Sequence, residues 1–430
     1  MSLLGARVPG HGGTTWASTV ARADVHSAAI GFAAIALLGF DHGGYFQRSW
    51  GWAVLAFAAL AALALLLRKG VVVGSLEWVS LAALAALAAW TLLSSTWGIS
   101  GTEAAREAER TLVYLAGLAA FLAWVERTSV WGLLVGVLAG TVALAAYGLG
   151  DRVLGSRGVE PFESSLLVKP LGYANALGIL AATGLVIAVG ALIRERRPGL
   201  VSLLVAAALI LGIALALTSS RGAWFSLACG LGVLGVTYPR RGNGRLCRRW
   251  LVLGAAVLVA VVLWLALTSQ SGLGERPNYW HAAIADTRTH PISGSGAGTF
   301  DDYWLVHPKS GASVRDAHSL YLESLAELGP VGLLLVLGAL LSPLAALAIA
   351  RPEPAVAVAA GGYSAFLVHA GLDWDWEMPA TTLAALACGA ALLASSRPVL
   401  RPLSARARVF AVTAALALCV LGLAVVFAGA

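Results

Sequence analysis

The residue in this sequence best suited to chemistry is His318. It precedes leucines spaced as on one face of an amphipathic helix, which Gly329 would end before Pro330 opens the next apolar segment. A neutral imidazole near a helix N-terminus is a good general base, because its pKa lies near neutral pH and the helix end disfavours its charged form. A histidine with a purely structural role is the alternative that spacing leaves open.

Arginines form the second group of candidates. Arg221 lies where two apolar runs meet without a real loop, in the sequence Leu-Thr-Ser-Ser-Arg-Gly-Ala-Trp. A guanidinium there needs an anionic partner or water, although its side chain could instead snorkel to the membrane surface. Arg276, Arg288 and Arg315 add positive charge to the polar segment around His318. Because guanidinium groups stay charged and present a planar fork of donors, this set beside one histidine suits an anionic, lipid-linked substrate.

Three further polar residues are candidates for binding substrate. Asn175 lies at the mouth of an apolar segment, where it either lines a cavity or caps a helix. Asp373 follows His369 by one helical turn, so the two could support a site together. Tyr321 lies in the helix predicted after His318 and is the third candidate.

The motifs do not predict a metal or a cofactor. The histidines and aspartates of residues 269–332 could in principle bind zinc or another divalent cation, but none has HxxH or HExxH spacing. Gly294, Gly296 and Gly298 form a GxGxG pattern without a preceding strand, so they predict tight turns rather than a dinucleotide site. The four cysteines show no CxxC spacing and are expected to be small buried hydrophobes.

The elements that must position these residues are membrane-spanning helices. Of the 430 residues, 59% are hydrophobic and 12% are charged, more apolar surface than a water-soluble domain of this length can bury. We therefore predict an all-α polytopic transmembrane bundle of about 12–13 spans. The predicted spans are residues 27–40, 50–67, 74–93, 111–126, 130–149, 171–193, 199–218, 222–238, 250–267, 330–350, 355–372, 379–396 and 409–428.

The distribution of charge predicts how the chain is oriented. If the N-terminus is cytoplasmic, most of the 29 Lys and Arg residues fall in cytoplasmic segments, and the positive-inside rule places the long polar loop outside. The net charge of +7 thus indicates membrane sidedness rather than a nucleic-acid partner. We divide the chain into an N-terminal transmembrane bundle (1–267), a large extracytoplasmic loop with short helices and the catalytic motif (268–329), and C-terminal transmembrane helices (330–430). Together they form one membrane domain.

With these residues in view, the chain resembles the O-antigen ligase and O-antigen polymerase superfamily of membrane glycosyltransferases. The ligase pattern His-[Asn/Ser/Gln]-x9-Gly-x-x-[Gly/Thr/Tyr] is met by His318, Ser319, Gly329 and Gly332. An Arg-x3-Leu element is not evident, because Phe225 stands at that offset from Arg221. Segments similar to other family elements are Arg276–Trp280, His290–Phe300, Thr218–Ala223 and His369–Asp373.

The resemblance implies an inverting, metal-independent glycosyltransferase of the bacterial plasma membrane that uses no cofactor. Its donor would be a glycan on undecaprenyl diphosphate, and its acceptor a hydroxyl group of a glycan, lipid or protein. His318 would act as base on that hydroxyl. Arg221 and Arg276 would bind the diphosphate and stabilise its charge as it leaves. Substrate-binding roles are predicted for Arg288, Arg315, Asn175, Tyr321 and Asp373.

Several alternatives stay open at this level. The sequence does not separate a ligase from a polymerase or from a protein O-glycosylating enzyme. The alternative from another class is a transporter or flippase for a lipid-linked glycan, which would be expected to show inverted repeats and charges deep within several spans. Glu77 is interpreted as the one charged residue clearly in the middle of a span, which favours chemistry at the outer surface.

Overall fold

The computed structural model describes residues 25–68, 70–154, 166–239, 244–268, 274–311, 313–397 and 402–428. Across those ranges the protein is helical and contains no strand, which confirms the predicted all-α class. The first residues of the predicted polar loop, 269–273, lie outside the described part. Helices are what the composition dictates, because a backbone surrounded by lipid must form its hydrogen bonds within its own segment.

Fifteen helices follow one another along the described ranges. They are α1 (Val25–Phe40), α2 (Gln47–Leu67), α3 (Ser75–Leu93), α4 (Gly101–Trp124), α5 (Val130–Leu154), α6 (Ala174–Arg194), α7 (Pro198–Thr218), α8 (Arg221–Thr237), α9 (Gly244–Thr268), α10 (Arg276–Thr289), α11 (Phe300–Val306), α12 (Leu320–Ala345), α13 (Pro354–Ala370), α14 (Pro379–Ser396) and α15 (Ala405–Ala428). All except α10 and α11 coincide with the predicted spans. The largest differences are at α4 and α12, each of which begins about ten residues earlier than expected because the polar residues before the span continue the same helix.

Length and hydropathy identify a multi-pass membrane protein. Eight helices of the described ranges are long and apolar enough to cross a membrane, and α1 and α13 are apolar but shorter. The eight are α2, α3, α5, α6, α7, α12, α14 and α15. Helix α14 lies at the centre of the bundle, with its spanning window fully buried.

Short connections make successive helices antiparallel, so helix ends alternate between two ends of the bundle. One of them, the loop end, carries α10, α11 and the rest of residues 274–319. The opposite, basic end collects arginines with their partners: Arg68 bonds Glu126, and Arg127 pairs with Glu353 at 2.6 Å. This segregation of charge is what the predicted orientation requires. Which end faces the cytoplasm stays a prediction.

The interpretation of Glu77 as a charge in the middle of a span is wrong. Glu77 lies in the first turn of α3 at the basic end, where its carboxylate accepts from the backbone N–H of Gly74. Arg397, directly after α14, donates to the same carboxylate at 2.7 Å, and both side chains are buried. An unpaired buried charge would be strongly destabilising, so each of the two requires the other.

The break predicted at Gly329 is a kink inside α12 rather than the end of a helix. Gly329 has φ 67° and ψ −171°, and Pro330 has no N–H to offer the preceding turn. Carbonyl groups of that turn instead accept hydrogen bonds from N–H groups outside the helix. The pairs are Ala326 O with Ser295 N (3.0 Å), Glu327 O with Gly296 N (2.8 Å) and Leu328 O with Trp90 Nε1 (2.9 Å). The kink therefore fixes the glycine-rich turn of residues 293–298 onto α12.

Gly329→Ala should destabilise the protein strongly. An added Cβ would lie 2.3 Å from Ile292 O, and the left-handed backbone disfavours any side chain. We expect a loss of roughly 2 kcal/mol or more, seen as a lower midpoint of thermal unfolding in detergent. The matched control is Gly338→Ala in the same helix, where the nearest atom would be 3.5 Å away. Equal midpoints for the two variants would contradict the role given to the kink.

Candidate active site

His318 lies at the loop end, immediately before the N-cap residue of α12, in a left-handed conformation (φ 53°) that is rare for a residue with a side chain. Its Nδ1 lies 3.0 Å from Asp316 O, and its ring packs 5.1 Å from that of Tyr279. A carbonyl oxygen only accepts, so Nδ1 must donate this hydrogen bond. In the neutral ring Nε2 then carries no proton and can take one up.

The surroundings of His318 favour this neutral form. Burial lowers the pKa of His318 below its ordinary value, and the positive charge of Arg276 acts in the same direction. The negative charge of Asp373 opposes both effects without reversing them. A base that remains unprotonated at neutral pH is the form that can accept a proton from a hydroxyl group.

Arg276 is the first residue of α10, and two hydrogen bonds hold its guanidinium in place. Nε donates to Leu372 O at 2.7 Å, and Nη2 pairs with Asp373 Oδ2 at 2.5 Å. Burial alone would raise the pKa of Asp373, but the guanidinium holds that pKa below its ordinary value, so the carboxylate is ionised. The Asp373 side chain is 2% exposed and that of Arg276 28%, which leaves part of the cation accessible.

Asp373 also accepts hydrogen bonds from two residues at the start of α6, Asn175 and the N-cap residue Tyr173. Asn175 Nδ2 donates to Asp373 Oδ2 at 2.7 Å, and the Tyr173 hydroxyl donates to Oδ1 at 2.8 Å. Three residues predicted separately, Arg276, Asn175 and Asp373, thus form one hydrogen-bonded cluster with Tyr173. Because its oxygens are occupied by these donors, Asp373 positions the other groups. We refer to these four residues as the Asp373 cluster.

Arg221 is brought to the edge of this region by backbone packing. It opens α8 after the N-cap residue Ser220, whose hydroxyl accepts from Ala223 N at 3.2 Å. The next residue, Gly222, faces His369: a Cβ there would lie 3.4 Å from His369 Nε2. Asp373 N in turn donates to His369 O at 3.0 Å, so the N-terminus of α8 contacts the residue that lies one helical turn before Asp373. The Arg221 side chain is half-buried.

His369 does not pair with Asp373 through its side chain. Its Nδ1 lies 3.2 Å from Asp375 Oδ1, and both side chains are fully buried. Neither His369 Nε2 nor Asp375 Oδ2 has a hydrogen-bond partner within the described ranges. The sequence did not single out Asp375, since it follows α13 in a short turn whose path periodicity does not predict.

Three of the predicted substrate-binding residues lie outside the Asp373 cluster. The Tyr321 hydroxyl donates to a backbone carbonyl of α13 at 2.8 Å, a bond between helices. Arg315 has a side chain that is 62% exposed and lies 3.8 Å from Glu103 of α4. Arg288 is exposed in the last turn of α10, about 18 Å along the helix from Arg276. Their roles in binding substrate stay predictions that this geometry does not favour.

The glycine-rich turn that precedes α11 is a packing element. Gly294, Gly296 and Gly298 all have positive φ, as tight turns require, and a Cβ on Gly294 would lie 2.3 Å from Glu327 O. The Glu327 carboxylate accepts hydrogen bonds from three backbone N–H groups at the end of this turn and the start of α11. The donors are Gly298 (2.8 Å), Thr299 (3.0 Å) and Phe300 (2.9 Å). A phosphate cradle would need these N–H groups free, so the turn serves to join α11 to α12.

A group of carboxyls supports the segment that leads into His318. Asp316, Glu323 and Glu377 offer oxygens that all lie within 4.8 Å of one another, close enough to hold a metal ion. Glu323 accepts from Ala317 N at 2.7 Å, and Arg110 Nη1 pairs with Glu377 at 2.7 Å. Burial and a hydrogen bond with Glu377 raise the pKa of Asp316 well above its ordinary value. The three carboxyls come from separate parts of the chain: the segment before α12, α12 itself and the short turn after α13.

The match to a known family falls on the same region. Residues 206–337 match the family model for O-antigen ligase, a range that contains Arg221, Arg276 and His318. No curated protein matches the chain. The family match confirms the resemblance to the O-antigen ligase and polymerase superfamily. Asn175 and Asp373 lie outside the matched range and are joined to it by the hydrogen bonds described above.

Proposed function

We propose that this protein, whose residues 206–337 match the O-antigen ligase family, transfers a glycan from undecaprenyl diphosphate to an acceptor hydroxyl at the outer leaflet of the plasma membrane. The family match supports glycosyl transfer of the ligase or polymerase kind in general. One observation carries the finer proposal. His318, whose Nδ1 lies 3.0 Å from Asp316 O and whose pKa is lowered by burial, lies where the charges of Arg276 and Asp373 act on it, at the end of a membrane bundle.

The reaction divides between these residues as follows. His318 Nε2 accepts the proton of the acceptor hydroxyl while its oxygen bonds to the anomeric carbon of the donor sugar. The bond from that carbon to the diphosphate oxygen breaks, and the diphosphate leaves with the electron pair. Attack opposite to the leaving group inverts the anomeric configuration.

The developing negative charge needs nearby cations and donors. Arg276 supplies a guanidinium whose position is set before the substrate arrives, which is the condition for strong electrostatic stabilisation. Arg221 supplies a second positive charge at the N-terminus of α8, where the helix dipole also favours an anion. Asn175 and Asp373 hold this arrangement in place.

Reconstitution tests the proposal. The purified protein in liposomes receives an undecaprenyl-diphosphate glycan together with candidate acceptors, and the products are separated by mass. We expect free undecaprenyl diphosphate in an amount equal to the glycan transferred. A longer lipid-linked chain would identify a polymerase, and a glycan on another molecule a ligase. Movement of the intact glycolipid across the bilayer without bond cleavage would contradict the proposal in favour of transport.

The pH dependence of transfer should show one titration on its acidic side. A base must be unprotonated, so kcat/KM should rise with pH and reach a plateau above the pKa of His318. Burial and Arg276 lower this pKa, so the midpoint should lie below about 6.5. A midpoint clearly above the ordinary histidine value would contradict a buried, neutral base.

Transfer should survive removal of divalent cations. Arginines perform the electrostatic role here, so excess EDTA is expected to change the rate by less than about twofold. The test is informative because the carboxyl oxygens of Asp316, Glu323 and Glu377 are close enough to one another to hold an ion. Loss of transfer in EDTA, restored by a divalent cation, would overturn the metal-independent mechanism.

A further inference from the structure

An apolar groove of about 640 Å³ runs between α1 and α2. It extends from Ala29 to Asp41 along α1, about 18 Å of helix. Most of the side chains that line it are small or aliphatic, so the groove has no polar groups along most of its length. Its lining includes Ala29, Ala33, Leu37, Ala53, Ala56 and Leu60.

Polar residues appear where the groove reaches the loop end of the bundle. Asp41, Arg48 and Ser49 form this rim, and Arg48 Nη2 lies 2.9 Å from Asp41 Oδ1. The Arg48 side chain is 67% exposed, which leaves its other N–H groups accessible to an anion. Trp52, in the groove wall, is 61% exposed, as expected for an aromatic residue near the membrane surface.

The rim is joined to the Asp373 cluster by a row of aromatic rings. Tyr45, four residues after Asp41, packs 5.6 Å from Trp374 between ring centroids. Trp374 packs 4.6 Å from Tyr173, whose hydroxyl donates to Asp373. The rim of the groove thus lies next to one end of the aromatic row, and the other end of that row, Tyr173, belongs to the Asp373 cluster.

We propose that this groove holds the isoprenoid tail of the polyprenyl-diphosphate donor. The inference rests on the proposed function, since it names where that donor's lipid lies. An isoprenoid chain is apolar and methyl-branched, and a groove lined by alanines between two helices accepts such a chain without burying a polar group. A tail that leaves the groove at Arg48 would carry its diphosphate past Tyr45 and Trp374 towards Arg276.

A second apolar groove lacks this connection. It has about 570 Å³ and lies among α2, α3, α4 and α15, with Leu65, Val71 and Leu403 at the basic end. None of its lining residues lies within four residues of Tyr45, Trp374 or Tyr173 in the chain, whereas Asp41 and Arg48 of the α1–α2 groove flank Tyr45. The link to the aromatic row therefore favours the α1–α2 groove over this second groove as the place of the donor's tail.

The test fills the groove and varies the length of the tail. Ala33→Phe and Ala56→Phe place an aromatic ring in the groove, whereas Ala59→Phe places it on the same α2 helix at an exposed position outside the lining. Each variant is assayed with two donors of identical glycan and diphosphate, one with the undecaprenyl tail and one with a two-unit isoprenoid tail. We expect kcat/KM for the long-tailed donor to fall about tenfold in the first two variants. With the short-tailed donor, and in Ala59→Phe, it should stay within about twofold of wild type.

Photo-crosslinking separates this inference from the activity itself. Undecaprenyl diphosphate with a diazirine in its tail is irradiated with wild-type protein, and labelled peptides are mapped by mass spectrometry. Label on α1 and α2 that excess undecaprenyl diphosphate removes, but phosphatidylglycerol does not, supports the inference even if transfer is never observed. Label on other helices, or equal competition by phosphatidylglycerol, would overturn it. So would Phe variants that use both donors like wild type.

Discussion

Replacement of His318 by alanine is expected to lower the rate of glycan transfer about 100- to 10,000-fold, the range that one general base contributes. The methyl group of alanine cannot accept the proton of the acceptor hydroxyl. Affinity for undecaprenyl diphosphate should change little, because the arginines that would bind the diphosphate remain. The measurements are single-turnover transfer in liposomes and binding of undecaprenyl diphosphate to the same preparation.

The matched control for this variant is His281→Ala. His281 is exposed on α10, one residue after Trp280, and has no place in the proposed mechanism. Its replacement should leave transfer within about twofold of wild type. Turnover of the His318→Ala variant at a rate similar to that of the control would remove His318 from its role as base.

Arg276→Lys is expected to lower kcat/KM about 100-fold, although it conserves the charge. The guanidinium uses Nε for Leu372 O and Nη2 for Asp373, and one ammonium group cannot reproduce both directions while facing the diphosphate. Loss of one preorganised donor in an active site has effects of this size. The comparison is a steady-state assay of transfer with the undecaprenyl-linked donor.

Arg288→Lys provides the control in the same helix. Arg288 is exposed in the last turn of α10, and the geometry places it away from the Asp373 cluster. Its conservative replacement should leave kcat/KM within about twofold of wild type. If the two lysine variants are impaired equally, the effect is one of total charge, and the specific geometry assigned to Arg276 is contradicted.

Hydropathy predicted the fold well because each span is a local feature. A single segment of about twenty apolar residues can cross a bilayer only as a helix, because its backbone must form hydrogen bonds within the segment. The helices therefore lie at nearly the predicted residues. Their starts were harder to predict where polar residues continue a helix. The polar residues before the predicted span 111–126 form the first part of α4, because nothing in the sequence breaks the helix between Gly101 and the apolar run.

The site was predicted as separate residues but not as contacts. Arg276 and Asp373 are 97 residues apart, and periodicity contains no information about such a pairing. Asn175 was predicted from its place at the mouth of an apolar segment, Asp373 from its spacing after His369, and Arg276 as a cation of the polar segment around His318. Tyr173 was missed, because a tyrosine near the membrane surface is ordinary and its hydrogen bond depends on the tertiary structure.

Buried carboxylates were the other class that sequence reasoning missed. Glu323 and Glu327 look like the polar face of an amphipathic helix, yet both are buried and accept backbone N–H groups of the loop. Acidic residues that bind backbone donors can be recognised only once the path of the loop is known. Arg288 and Arg315 are exposed and lie outside the Asp373 cluster, and their roles in binding substrate stay predictions.

The most direct test of the account is a cryo-EM structure of the protein with undecaprenyl diphosphate bound. We expect the diphosphate at the loop end, with its oxygens within hydrogen-bonding distance of Arg276 and Arg221 and with His318 Nε2 facing the position of the departed sugar. A diphosphate bound at the basic end would contradict the account. A diphosphate at the loop end that contacts neither arginine would contradict it equally.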